Sequence, residues 1–241
     1  MTSMRIRVLA LAVLAGLLFV SFAAHAAPVR IPFVGCASDG QIGPEPAPRG
    51  TTKAVLIDPY SAARLAFYQS KYAGVIAPRG WQCFTLEGSD GSILFVTPSA
   101  HSAADLMQLG TRFGGPAIQL STSLGDTSGR FAVAEISARY FPARRKFVDS
   151  VIAEGIKPAA AFVFAPFPAD RFIRRTPRLV EVETPAHALG MGTTNRLAPD
   201  ALPIRSIAAI GEGDAPDVTV LIAKLAPEQR ELLPAILAQV R

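Results

Sequence analysis

The chain has 241 residues, of which half are hydrophobic and 18% charged, with two cysteines, three histidines and a formal net charge of +5. These proportions exclude a disordered or collagen-like chain and fit a globular core. The few cysteines and histidines lack the paired close spacing of a zinc motif, so neither a metal nor another cofactor is expected.

Met1 to Arg7 carries Arg5 and Arg7 and no acid. Val8 to Phe22 is apolar apart from Gly16 and Ser21, and Ala24-His25-Ala26 places small residues where a signal peptidase reads them. The sequence therefore predicts a signal peptide over 1–26, cut after Ala26, and a protein that works in the periplasm or outside the cell. An uncleaved anchor would need roughly 20 apolar residues, more than this run supplies. Pro28, Arg30 and Pro32 separate Cys36 from the run, which argues against a lipid-modified cysteine. Taking 26 from 241 leaves 215 residues, and loss of Arg5 and Arg7 lowers the charge from +5 to +3. The address makes nucleic acid an unsuitable partner.

Residues 27–50 contain Gly43-Pro44-Glu45-Pro46-Ala47-Pro48-Arg49-Gly50, whose spaced prolines predict an extended arm on the surface of a globular domain spanning 51–241. Asp58-Pro59 reads as an N-cap and first helical residue, predicting a helix from Pro59 to about Lys71. Strands follow at Val75–Ala77, Gln82–Leu86 and Ser92–Thr97, the last two joined by Gly88-Ser89-Asp90-Gly91 as a hairpin. Another strand is expected within Gly115–Leu124. Ser128 is placed to cap a helix that Pro142 interrupts, and a second helix holding Phe147, Val148, Val151 and Ile152 stops at Gly155. Ala160 to Ala169, with three phenylalanines, reads as a buried core-crossing strand, or as an aromatic element beside Arg171, Arg174 and Arg175 that meets a membrane or partner. Pro158 to Ala169 contains three prolines and is too short to span a bilayer. Leu179–Thr184, Ile204–Ile210 and Asp217–Leu225 read as strands before a last helix opened by Pro227. The hairpin signals favour an α+β fold, a mixed or largely antiparallel sheet packed with three to five helices in a single domain.

Cys36 and Cys83 are an even pair in an exported chain, so a disulfide is expected, worth roughly 4 kcal/mol by the chain-entropy estimate. The rival reading makes Cys83 a thiol nucleophile with His101 or His187 as base. Ser128, with His187 and Asp126, is the serine-hydrolase candidate, although neither Gly-rich serine segment has the G-x-S-x-G elbow. The Ser/Thr tract from Ser121 to Ser128 with Arg130 offers donors to an anion. Glu181 and Glu183 alternate on one strand, which predicts a solvent-facing pair.

Charge is uneven. Between Arg139 and Arg178 nine basic residues face three acidic ones, which reads either as a solvated face or as a patch for an anionic envelope component, with Arg144, Arg145, Arg174 and Arg175 as its core.

At Val34-Gly35-Cys36-Ala37-Ser38-Asp39-Gly40-Gln41-Ile42-Gly43-Pro44, at Ala77-Pro78-Arg79-Gly80-Trp81-Gln82-Cys83-Phe84 and at Gly88-Ser89-Asp90-Gly91-Ser92, the chain resembles an uncharacterised family of secreted bacterial proteins. The resemblance implies export and no particular chemistry. The sequence thus supports an exported binding or envelope-associated domain whose partner is an anionic envelope component or another exported protein, with a Ser or Cys hydrolase as the alternative.

Overall fold

The computed structural model describes residues 27–108 and 112–240. The leader expected over 1–26 lies outside the described residues. From the N-terminal side the chain forms β1 (Val29–Gly35), β2 (Ala37–Gly40), β3 (Thr52–Val55), α1 (Pro59–Arg64), β4 (Leu65–Gln69), β5 (Gly74–Pro78), β6 (Gln82–Gly88), β7 (Gly91–Thr97) and α2 (Ala103–Met107). It continues with β8 (Ala117–Ser123), α3 (Arg130–Tyr140), α4 (Arg145–Ala153), β9 (Arg171–Arg175), β10 (Leu179–Thr184), β11 (Ile204–Ile210), β12 (Val218–Lys224) and α5 (Leu233–Leu237).

The strands make two mixed sheets. Four form the order β3-β1-β4-β5, and eight form β2-β6-β7-β8-β12-β11-β10-β9. Among the described strands only the β1–β4 and β2–β6 pairings are parallel. The α+β expectation holds, with a larger sheet than the one foreseen.

Alternation along the strands decides what lies on each face of the large sheet. On β12, Val218, Val220 and Ile222 join a cluster with Phe95, Val133, Tyr140 and Val182. Leu221 and Ala223 point the other way, into a cluster with Leu65, Tyr68 and Val75 of the small sheet and Ile236 of α5. The large sheet is therefore sandwiched between the small sheet on one side and helices and loops on the other. Each fully buried Val, Leu or Ile contributes roughly 1.5–3 kcal/mol to this arrangement.

The first strands correct the picture of a surface arm. Ile31, Cys36 and Ser38 are buried, and only the proline-rich stretch after Gly40 runs mostly exposed. Passing from β1 to β2, the chain leaves the small sheet for the large one at Cys36. A disulfide from Cys36 to Cys83 on β6, with Cα atoms 5.3 Å apart, ties this corner down.

Three expectations give way to tertiary context. Asp58 does cap α1, accepting the Ser61 N–H at 2.9 Å, but the helix ends at Arg64. Leu65–Gln69 instead fills the slot between β1 and β5, burying Leu65, Ala66 and Tyr68. Packing outweighs helical propensity there. The expected strand within Ala160–Ala169 is a short 3-10 turn at Ala159–Ala161 followed by irregular chain. Pro166 and Pro168 lack the N–H groups a sheet interior requires, and only Phe162 of the three phenylalanines is buried. Finally, Gly129 and not Ser128 holds the N-cap position of α3, and Thr127 Oγ1 accepts the Gly129 N–H at 3.1 Å.

Candidate functional site

Between α3 and the helix-covered face of the large sheet lies a cleft of about 410 Å³. Its floor is set by the alternation of two neighbouring strands. Val218, Val220 and Ile222 of β12 lie beside Ser121 and Ser123 of β8, because the register pairs Val220 with Ser121 and Val218 with Ser123. One wall is a single stripe of α3, Ala132, Glu135, Ile136 and Arg139, at the i, i+3, i+4, i+7 spacing of one helix face. The opposite wall comes from the loop between β10 and β11, with Leu189 and Thr193 to Asn195, and from Arg112.

Many of the polar groups are held by the protein itself. Arg112 Nη1 donates to the Thr193 carbonyl at 2.7 Å, which ties the β8 approach to the far wall. Arg139 Nη1 donates to the Ala165 carbonyl at 3.1 Å while its guanidinium lies 3.9 Å from the Phe167 ring centroid. Glu135 is ion-paired with Lys157. Ser121 donates to the Val220 carbonyl at a long 3.4 Å. The Ser123 hydroxyl and the Asn195 amide make no side-chain hydrogen bond among the described residues. The cleft thus offers an apolar floor, uncommitted neutral polar groups and guanidinium charge at both walls.

A buried polar network fixes the far wall. Asp170 accepts hydrogen bonds from Tyr140 Oη, from Thr184 Oγ1 at 2.6 Å and from the Met191 N–H at 2.9 Å. Burial, followed by the hydrogen bond and charge of Asp170, pushes the Tyr140 phenol well above its ordinary range. That phenol stays neutral and acts as a donor. Through Asp170 it anchors the loop that carries Met191.

The candidates read from the sequence do not converge here. Cys83 has no thiol to offer, because it is bonded to Cys36. Ser128 lies in the turn after β8, whereas the His187 N–H donates to the carbonyl of Asp200, whose side chain accepts the Gly115 N–H ahead of β8. The two therefore sit toward opposite ends of a seven-residue strand, roughly 20 Å apart at the usual rise per residue. Asp126, in the same turn as Ser128, is exposed and remote from His187. His101 packs its ring 4.5 Å from that of Phe113. Arg130, the cation of the Ser/Thr tract, is held by Glu154 through bonds of 2.6 to 3.0 Å. Glu181 is buried and accepts from Arg205, so the expectation that it faces solvent with Glu183 is corrected. The partner that buries it stands on the neighbouring strand β11, and no local pattern marks the pair.

The four arginines of the basic segment separate into two pairs. Arg144 donates to the carbonyls of Gly211 and Gly213, and Arg145 pairs with Asp149 at 2.8 Å while stacking 3.9 Å from the Phe164 ring. Arg174 lies 3.8 Å from Glu181, and Arg175 lies 5.1 Å over Phe172, both on β9. Of the cleft's polar lining, Ser121 and Ser123 stood in the polar tract and Arg139 opened the basic segment, whereas Arg112 and Asn195 carry no local pattern.

Among the described residues no group of three or more His, Cys, Asp or Glu side chains converges as for a metal, and no helix is long and apolar enough to cross a membrane. No family model, curated protein or solved structure matches the chain.

Proposed function

We propose that the chain acts as a single exported binding domain, in the periplasm or outside the cell, that seats a small amphipathic molecule bearing an acidic group in the cleft between α3 and the large sheet. The observation that carries this reading is the cleft's composition. Val218, Val220 and Ile222 suit an apolar body, Ser123 and Asn195 have hydrogen-bonding capacity to spare, and Arg112 and Arg139 favour a negative headgroup. Export rests on the cationic, apolar and small-residue order of 1–26 and on the resemblance to secreted proteins; the disulfide suits an oxidising compartment.

Binding without chemistry is favoured because neither His101 nor His187 reaches the serines of the cleft floor and the sole carboxylate of its lining, Glu135, is engaged with Lys157. The test is calorimetric titration of the purified protein with dodecanoate and with dodecanol. Saturable binding of the acid in preference to the alcohol, abolished by Ala132→Trp and weakened by Arg112→Gln, is the expected result. Equal affinity of the wild type and Ala132→Trp would reject the cleft as the seat.

A further inference from the structure

Strand β9 ends the eight-stranded sheet. It pairs with β10 on one side only, and all five of its residues are exposed. Among the described residues its other main-chain edge is open. The register sorts its side chains: Arg175 opposite Val180 and Phe172 opposite Val182 share one face, while Arg174 opposite Glu181 and Arg171 opposite Glu183 share the other.

The edge is strongly basic and poorly neutralised. Arg171 and Arg175 make no ion pair among the described residues. Arg174 has only a 3.8 Å contact with Glu181, whose nearer partner is Arg205. Between these cations stand Phe172 and Ile173, exposed to 41% and 52%. Beside them a groove of about 640 Å³ is lined by Arg174, Thr176 and Arg178 over Leu179, Ala209 and Thr219.

We infer that β9 is a docking edge for an extended acidic segment of another exported protein, which adds to the large sheet as a further strand. Main-chain hydrogen bonds to the open edge would supply affinity in a sequence-tolerant way, and alternate side chains would supply selectivity. Acidic residues of the incoming strand meet Arg171 and Arg174 on one face and Arg175 on the other. An apolar residue next to them covers Phe172, which packs edge-on to Tyr140 with centroids 6.2 Å apart. Charge complementarity decides the class of partner: an acidic strand is attracted and a second copy of this basic edge is repelled.

The test titrates the purified protein into a fluorescein-labelled decapeptide of alternating Glu and Val, read by anisotropy, with hydrogen exchange of residues 171–175 followed in parallel. Saturable binding, slowed exchange at those amides, and at least about tenfold weaker binding by the Arg171→Glu/Arg175→Glu protein are expected. The same peptide N-methylated at alternate residues on the edge that faces β9 should not bind. Since both arginines are exposed, an unchanged melting temperature separates loss of docking from loss of fold. Absence of binding at millimolar peptide, or binding indifferent to the double substitution, would overturn the proposal and leave the arginines as blunting charges. Preferential attachment to vesicles of phosphatidylcholine and phosphatidylglycerol over the peptide, with residues 171–175 protected, would overturn it in favour of a lipid surface. None of these variants touches the cleft.

Discussion

Lys224 Nζ donates to Asp200 Oδ2 at 2.8 Å from a side chain with no exposure to solvent. It stands on the same strand parity as Val218, Val220 and Ile222, at the end of the cleft floor, and donates also to the carbonyls of Phe113 and Ala198. All three ammonium protons are thereby used, and the charge is spent on closing the loop before β8 against the loop before β11. Replacing Lys224 by Met takes from Asp200 its charged donor, leaving it the Gly115 and Leu202 N–H groups, and takes a donor from the Phe113 and Ala198 carbonyls, so about 2 kcal/mol of stability should be lost. Urea unfolding at neutral pH measures it. A loss under about 0.5 kcal/mol would show that the loops hold without the lysine.

Asp200 also makes stability depend on acid. Burial works against its ionisation, but hydrogen bonds from Lys224, Leu202 and Gly115 and the charge of Lys224 outweigh it, so its carboxyl lies below the ordinary range. A group whose value is depressed on folding stabilises the native state above its unfolded value, near 3.9 for aspartate, and loses that contribution as pH falls through its folded value. The unfolding midpoint of the wild type should therefore drop on acidification below about pH 4 by more than that of Asp200→Asn. Parallel profiles for the two proteins would remove Asp200 as the source.

Breaking the disulfide should cost more than any single surface change. The bridge spans a sequence separation of 47 and joins the β1–β2 corner to β6. The chain-entropy estimate is roughly 4 kcal/mol, and Cys36 is itself buried beside Trp81 and Leu65 in the inter-sheet cluster. Thermal melts of Cys36→Ser/Cys83→Ser against the oxidised wild type should show a fall in melting temperature. Addition of reductant should lower only the wild type, and a double-serine protein as stable as the oxidised one would contradict the staple.

The sequence carried the strands best where alternation and turn chemistry agreed. Gly88-Ser89-Asp90-Gly91 indeed closes a two-residue hairpin, with Gly88 opposite Gly91. Leu65-Ala66-Phe67-Tyr68-Gln69 was ambiguous, because a helix just begun at Pro59 could continue through it. Its strand state is decided by Phe33 opposite Phe67 and Ala77 opposite Ala66, partners that no local window contains. Arg171–Arg175 was invisible for the opposite reason: a strand paired on one side and exposed on both faces needs no hydrophobic alternation. The cleft shows both limits. Ser121 and Ser123 sat at a strand spacing of two, but the second wall arrives from Arg112 and from Thr193 to Asn195, joined only by tertiary hydrogen bonds.

Glycine at the hairpin is a steric requirement that can be tested alone. Gly91 has φ of 140°, and a Cβ there would meet the Thr122 carbonyl oxygen at 1.8 Å, inside the backbone of the adjacent strand. Neither neighbour is a flexible side chain that could swing away, so Gly91→Ala must part β7 from β8 locally or distort the turn. A cost of about 2 kcal/mol is expected, read as a lower urea midpoint.

Tyr140 supports the far wall of the cleft through Asp170. Its phenol donates to Asp170, which also holds Thr184 and the Met191 amide, so Tyr140→Phe leaves the carboxylate one donor short. Stability should fall by about 1–3 kcal/mol, and ligand affinity at the cleft should fall with it because Thr193 to Asn195 follow closely on Met191. Because the folded phenol titrates above its unfolded value, near 10, its contribution is complete below that pH and is lost only as pH rises through the folded value. The unfolding midpoints of the wild type and of Tyr140→Phe should hence be offset by a constant up to about pH 9 and converge in stronger alkali. A gap between the two proteins that closes near neutrality instead would place the controlling proton on another group.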